Sequence, residues 1–145
     1  AAQAVTGNAA NADTFALATL QRECREVYVD PSLITYAVKL VSATRNPAKY
    51  ALPDLAKYLT YGASPRATIG MIEGARALAM LRGRRYVLPE DVADLVADVM
   101  RHRIVLSYEA LAEGLTPDQI IGQVMAKIAR PDKPMRHAEE GAARG

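Results

Sequence analysis

The sequence holds 145 residues, enough for one domain, and half of them are apolar, with alanine the most frequent. One phenylalanine and no tryptophan argue against a β-sandwich, which relies on β-branched and aromatic side chains, and favour closely packed helices. A net charge of +2 is too balanced to indicate a nucleic-acid binder by itself. The single cysteine excludes a disulfide framework. No apolar run is long enough for a membrane helix, so we expect a cytoplasmic domain.

Both ends of the sequence predict disordered tails around a folded stretch at 13–131. Residues 1–12 are rich in alanine and asparagine and carry no charged side chain, which indicates a disordered tail or a remnant of the expression vector. Residues 132–145 combine proline, glycine and scattered charge, and they predict a disordered C-terminal tail. Because the sequence opens with alanine rather than methionine, we expect it to be a piece of a longer protein.

Two helices are predicted before residue 46. Apolar residues spaced three and four apart predict a helix over 13–27. Asp30 and Pro31 begin a second helix, because aspartate caps free amides and proline fits the first turn, and Asn46 with Pro47 ends it. The faces expected to be buried are Leu17, Leu20, Cys24 and Val27 in the first helix and Leu33, Ile34, Ala37, Val38 and Val41 in the second.

Three more helices are predicted in the rest of the chain. Residues 47–63 predict a loop with one helical turn over 53–58, packed against the body of the domain. Ser64 is expected to cap a long helix with Pro65 in its first turn, and Gly62 would let the backbone turn tightly into this cap. Gly83 ends the helix, and its apolar face consists of Ile69, Ile72, Ala75 and Ala79. Another begins at Pro89, and the last follows a capping box at Thr116. Five amphipathic helices with short connections predict an all-α fold, a small antiparallel helical bundle.

The motifs that carry catalysis or metal binding are missing from the sequence. There is no phosphate loop of the form GxxxxGK[ST], no HExxH and no GxSxG. His102 and His137 stand far apart, and Cys24 fits better as a small core residue than as a ligand. We therefore expect no catalytic residue and no metal site in this chain.

Arg66 is the residue that departs from the local pattern. Cations are stabilised at the C-terminal end of a helix, yet Arg66 falls in the first turn of a predicted helix, where its charge costs about 0.3–1 kcal/mol. A phosphate would make the free amides and the guanidinium cooperate instead of repelling each other. On charge alone the ordinary explanation is favoured, in which Arg66 is solvated or pairs with a carboxylate such as Asp54.

A group of arginines supports a second hypothesis. Arg82, Arg84, Arg85, Arg101 and Arg103 could form a basic patch, and the RGRRYVLPEDV stretch is similar to the basic loop and EDV turn of histone folds. This alternative predicts a helical DNA-binding or histone-like protein-interaction module. The simpler explanation is that these arginines lie at a helix C-terminus, where they interact favourably with the helix dipole and increase solubility. We favour this explanation.

Four blocks of the sequence, in order, resemble one known family. The run YGASPRA at 61–67 resembles the GASPRA signature of MoxR-family AAA+ ATPases, which lies in the small helical lid that follows their ATPase core. Three further stretches match the same lid. They are VYVDPSLITYAVKLVSATR at 27–45, ARALAMLRGRRYVLPEDV at 75–92 and HRIVLSYEALAEG at 102–114. One departure is Leu88, where the family often has a capping Thr or Ser.

The resemblance implies a role for Arg66, and it reverses the preference for an ordinary explanation. Arg66 is similar to the sensor-2 arginine that reaches the γ-phosphate of ATP, with Gly62, Ser64 and Pro65 supporting it. The resemblance also implies ATP and Mg²⁺ bound mainly by a core absent from this sequence, so we expect no cofactor on this chain alone. The implied partners are that core, neighbouring subunits of a hexameric ring and a von Willebrand factor A-type protein, without a membrane or nucleic acid.

Overall fold

The computed structural model describes residues 2–132, with side chains from Asp13 onward. This stretch is mostly helical, with two short 3-10 helices at Pro47–Tyr50 and Pro53–Lys57. No helix within it has the length and apolar character needed to cross a membrane. The α-helices are α1 (Ala2–Arg25), α2 (Pro31–Arg45), α3 (Arg66–Leu81), α4 (Pro89–Met100), α5 (Tyr108–Ala112) and α6 (Pro117–Lys127), and the strands are β1 (Leu59–Tyr61) and β2 (Val105–Leu106). The all-α prediction is confirmed.

The first helix differs from its prediction in both length and packing. α1 begins at Ala2, inside the segment expected to be a disordered tail, and alanine, the strongest helix former, accounts for the extension. The predicted apolar stripe is not buried, since Leu17 and Leu20 are at least half exposed and Cys24 is only partly covered. Val27, just beyond the helix, does join the core. The predicted C-terminal tail beyond Asp132 lies outside the described residues.

The predicted ends of α2 are confirmed, and its predicted buried face is confirmed in part. The Asp30 side chain accepts a hydrogen bond from the Ser32 amide at 2.8 Å, so the expected cap is present. Ile34 and Val38, expected in the core, are more than 40% exposed. Leu33, Ala37 and Val41 are buried as predicted, and packing against α3, α4 and α6 turns the buried face toward Tyr36 and Leu40. The buried residues are Leu33, Tyr36, Ala37, Leu40, Val41, Ala43 and Thr44.

A small antiparallel sheet joins the loop before α3 to the segment after α4. Leu59 of β1 is opposite Leu106 of β2, and Tyr61 is opposite Val105. The sequence analysis did not predict these strands, although the helical turn at 53–58 is present as the second 3-10 helix. The sheet fixes the chain immediately before the segment that leads into α3.

Helices α3 and α4 pack closely and form the centre of the domain. Gly74 permits the approach, because a Cβ there would lie 3.1 Å from Leu95 Cδ1. Gly83 ends the α3 segment with a φ of +76°, as expected for a left-handed glycine. The predicted face of α3 is confirmed at Ala75 and Ala79, but Ile69 is exposed and Met71 is fully buried instead. The remaining buried positions on α3 are Ala67, Ala75 and Ala79.

The last two helices close the core. α5 was not predicted, and Ser107 caps it by accepting a hydrogen bond from the Ala110 amide at 3.3 Å. α6 begins with the predicted capping box, in which Thr116 and Gln119 exchange hydrogen bonds of 2.9 and 3.3 Å. The buried side chains of α6 are Ile120, Ile121 and Val124.

Candidate functional site

Arg66 is the first residue of α3, and its side chain is exposed. The helix is initiated through the backbone, since the Ala67 amide donates to the Ser64 carbonyl at 2.9 Å and the Thr68 amide donates to the Pro65 carbonyl at 3.1 Å. No side chain caps this N-terminus. The expectation that the Ser64 hydroxyl acts as a cap is therefore wrong, because Pro65 and not Ser64 occupies the capping position.

The charge of Arg66 is not neutralised within the domain. Among residues 13–132 its guanidinium makes no ion pair or hydrogen bond, so the pairing with Asp54 is not formed, while the solvated form of the simpler explanation still fits. An unpaired guanidinium therefore belongs to the first residue of α3. The guanidinium and the positive end of the helix dipole both favour an anion near this helix end.

The loop that leads to Arg66 is in backbone contact with the end of α2. A Cβ at Gly62 would lie 2.3 Å from the Thr44 carbonyl oxygen and 2.7 Å from the Arg45 nitrogen, so only glycine fits there. Gly62 was expected to allow a tight turn. Its role is instead this close approach, because its φ is not in the left-handed region. The next residue, Ala63, is fully buried and donates its amide hydrogen to the Thr44 hydroxyl at 3.0 Å.

An open groove of about 400 Å³ runs along this loop. Arg45 and Tyr61 supply its largest exposed side chains, and Tyr61 is 69% exposed. Tyr50 and Tyr58 instead pack against the core, in agreement with the predicted packing of the 47–63 loop against the domain. The groove is lined by Arg45, Thr60, Tyr61, Gly62, Ala63, Ser64 and Pro65.

Most arginines of the predicted basic patch are engaged within the domain. Arg82 and Arg84 both bind the fully buried carboxylate of Asp91 at 2.7–2.8 Å. Arg101 pairs with two carboxylates, and Arg103 donates to the Val99 carbonyl at 2.6 Å. Internal ion pairs, rather than a surface for nucleic acid, thus account for these side chains.

The Asp91 cluster joins the two central helices. The carboxylate also accepts a hydrogen bond from the Leu88 amide at 2.7 Å, so it caps α4 from within although Leu88 itself cannot. Burial alone would raise the pKa of Asp91. The hydrogen bonds from Arg84, Leu88 and Arg82 and the charge of Arg84 outweigh burial and lower this pKa below its ordinary value of 3.8.

The other candidates from the sequence offer no competing site. Cys24 lines a shallow groove of about 310 Å³ between α1 and α3, together with Arg25 and Arg76. His102 is exposed at the end of α4. No three acidic, histidine or cysteine side chains of the described residues come together in a way that could hold a metal ion.

Known proteins match this arrangement. Residues 54–124 match the family described as the AAA lid domain. Over 115 residues the chain is 43% identical to "Chaperone MoxR1" of Mycobacterium tuberculosis, which covers 79% of this chain and 30% of that protein. The chain carries an AAA+ lid domain of the MoxR type. "Protein MoxR" of Paracoccus denitrificans is 41% identical to the lid domain over 110 residues, covering 72% of this chain and 32% of that protein.

A solved structure from Cytophaga hutchinsonii, assigned as an ATPase, matches the lid domain with a TM-score of 0.74 and 43% identity. The match covers 77% of this chain and 34% of that one. The lid domain thus spans about a third of the length of the relatives it matches.

The sequence did not point to Thr44, at the site, or to Asp91, beyond the far end of α3, as important residues. Thr44 is a buried threonine near a helix end, and Asp91 is an acid in a first helical turn, where acids are common. Ala63, which bonds to Thr44, is distant in the chain, and the arginines that bind Asp91 lie across the turn before α4. The sequence offered no signal for Thr44, while the RGRR…PED stretch did place opposite charges near Asp91.

Proposed function

We propose that Arg66 is the sensor-2 arginine of this lid domain and contacts the γ-phosphate of ATP bound by an AAA+ core elsewhere in the longer protein. The observation that carries the proposal is an exposed guanidinium at the start of α3 without a carboxylate partner among the described residues. Its place in the GASPR sequence of a MoxR-type lid supports the same role. Gly62 and Pro65 hold the loop and the first turn, and Ser64 contributes its carbonyl.

Phosphate chemistry suits the charges at this position. A guanidinium forms charge-assisted hydrogen bonds with phosphoryl oxygens, and the partial positive charge of a helix N-terminus favours the same anion. Negative charge on those oxygens must be stabilised during hydrolysis, and a cation held in place beforehand supplies that stabilisation. Arg66 would therefore contribute to turnover as well as to nucleotide binding.

ATP with Mg²⁺ would supply the reactive phosphoryl group and the metal that neutralises its charge. Among the described residues we assign the phosphate contact to Arg66 at the positive end of α3, so the core would provide the remaining contacts. We infer that the lid alone is not an enzyme and that it binds ATP weakly, since one cation cannot hold a triphosphate. An ATP titration of the 145-residue chain monitored by chemical shifts tests this, and micromolar affinity would contradict it.

A lid that contacts the γ-phosphate can couple nucleotide state to domain position. The contact favours a closed arrangement of core and lid, and its loss on hydrolysis relaxes that arrangement. We propose that the whole protein uses this change for chaperone-like remodelling in the cytoplasm, as a hexameric ring with a von Willebrand factor A-type partner. Light scattering of the full-length protein with and without ATP tests the ring.

The sensor-2 assignment is tested by Arg66→Ala in the full-length protein. We expect ATP turnover to fall about 100-fold, the scale for removing one donor that stabilises transition-state charge. Stability should change by less than about 0.5 kcal/mol because the side chain is exposed. The control is Arg22→Ala, because Arg22 is also an exposed arginine but lies on α1. This variant should keep wild-type turnover. Unchanged turnover of Arg66→Ala would contradict the proposal.

A further inference from the structure

We propose that Thr44 is a positioning residue for Arg66, acting from the last turn of α2. This inference rests on the proposed function, because it concerns how the sensor arginine is held. Thr44 lies 22 positions before Arg66 in the sequence, and its side chain is almost completely buried. It does not reach the phosphate itself, so it acts through the loop that leads into α3.

The hydroxyl of Thr44 donates one hydrogen bond and accepts another. It donates to the Val41 carbonyl at 2.7 Å, which sets the direction of its hydrogen, and it accepts from the Ala63 amide at 3.0 Å. Both partners are buried. The Ala63 amide therefore depends on this one side-chain oxygen, because water does not reach it to replace the bond.

A second contact holds the same loop. Gly62 rests on the backbone of Thr44 and Arg45 so closely that a Cβ would overlap the Thr44 carbonyl. Tyr61, one residue earlier, is paired with Val105 in the sheet. The loop is thus fixed by backbone pairing on one side and by the Thr44 hydroxyl on the other.

These contacts lie directly before the turn that carries Arg66. Ala63 is three residues before Arg66, and Ser64, the next residue, accepts the first hydrogen bond of α3. Losing the Thr44 hydroxyl would free the Ala63 amide and let the start of α3 move. Catalytic contacts are sensitive to such movement, because displacements near 1 Å lower rates substantially.

The test is a double-mutant cycle in the full-length protein. Thr44→Val removes the hydroxyl and nearly keeps the shape, while Thr44→Ser keeps the hydroxyl. We expect Thr44→Val to lower kcat/KM for ATP about tenfold and Thr44→Ser to stay within about twofold of wild type. In an Arg66→Ala background Thr44→Val should add less than about twofold, because the group it positions is already gone.

Hydrogen exchange separates positioning from general destabilisation. Peptides that cover residues 60–66 should exchange faster in Thr44→Val, whereas peptides from α6 should match wild type. Turnover is compared at a temperature where the α6 peptides agree. An unchanged exchange rate at 60–66 would overturn the proposed anchoring.

The outcomes also distinguish this inference from the function on which it rests. If Arg66→Ala lowers turnover while Thr44→Val does not, or if the two effects multiply, Thr44 does not act through Arg66. If Arg66→Ala itself leaves turnover unchanged, the sensor assignment fails first. Loss of turnover in Thr44→Ser equal to that in Thr44→Val would also contradict a role for the hydroxyl.

Discussion

Replacing Asp91 with asparagine should destabilise the lid domain by about 3 kcal/mol. The Asp91 carboxylate is fully buried and accepts hydrogen bonds of 2.7–2.8 Å from Arg82, Arg84 and the Leu88 amide. Asparagine keeps the size but removes the carboxylate that pairs with Arg84 and one of the two carboxylates that pair with Arg82. Removing one partner of a buried ion pair costs about 3–5 kcal/mol. The lower end applies because Arg82 and Arg84 keep 40% and 20% of their side-chain surface exposed.

Asp94→Asn is the matched control for this substitution. Asp94 binds Arg82 at a similar distance, 2.7 Å, but it is 53% exposed. Water can replace its single bond, so we expect a loss of about 0.2–1 kcal/mol. Urea unfolding of both variants at pH 7 measures the difference. Equal losses for Asp91→Asn and Asp94→Asn would refute the argument from burial.

The contribution of Asp91 should also depend on pH. Because its pKa in the folded state is below 3.8, the stabilisation is complete above the pKa of the unfolded chain. It declines as the pH falls from about 4 toward the folded-state pKa. The gap in unfolding free energy between wild type and Asp91→Asn should therefore shrink between pH 5 and pH 3, measured by urea titration. A constant gap would contradict the assigned pKa direction.

Three glycine substitutions and one capping substitution extend the predictions, all measured by urea unfolding. Gly62→Ala should cost about 1–3 kcal/mol, because its Cβ would overlap the Thr44 carbonyl and the backbone would have to move; a neutral result would refute the close approach. Gly83→Ala should cost about 1–2 kcal/mol for a left-handed φ. Gly122→Ala, in open space on α6, should instead stabilise the fold by about 0.5–1 kcal/mol. If Gly83→Ala and Gly122→Ala changed the free energy of unfolding in the same direction, the backbone argument would be contradicted. Thr116→Ala should cost about 1 kcal/mol for its lost cap, whereas no loss would show the cap to be dispensable.

The sequence predicted where helices begin better than which faces they bury. The starts at Pro31 and Pro117 were correct because the signals are local, a capping side chain next to a proline. The face of α2 was predicted in part, since Leu33, Ala37 and Val41 are buried as expected, but Ile34 and Val38 are exposed while Tyr36 is buried. Only the neighbouring helices decide such a choice. The stripe on α1 was likewise regular in sequence yet remains largely exposed.

The candidate site was predictable only where a local sequence signal existed. Arg66 stood out because a charge beside a helix N-terminus violates a local electrostatic rule. The contact between Gly62 and Thr44, and the sheet formed by β1 and β2, connect positions far apart in the chain. No local pattern encodes such pairings. Asp91 lies closer to its arginines, but its complete burial follows from the packing of α3 against α4.

Helix α3 is secured at both of its ends by different chemistry. At one end a threonine hydroxyl and a glycine hold the approach to Arg66, and just past the other end Arg82 and Arg84 grip Asp91. Sixteen residues of helix span about 24 Å. Because both ends of α3 are fixed, we expect a displacement at Arg66 to move the helix as one body. The Asp91 cluster would then pass this movement to α4 as a change in its tilt.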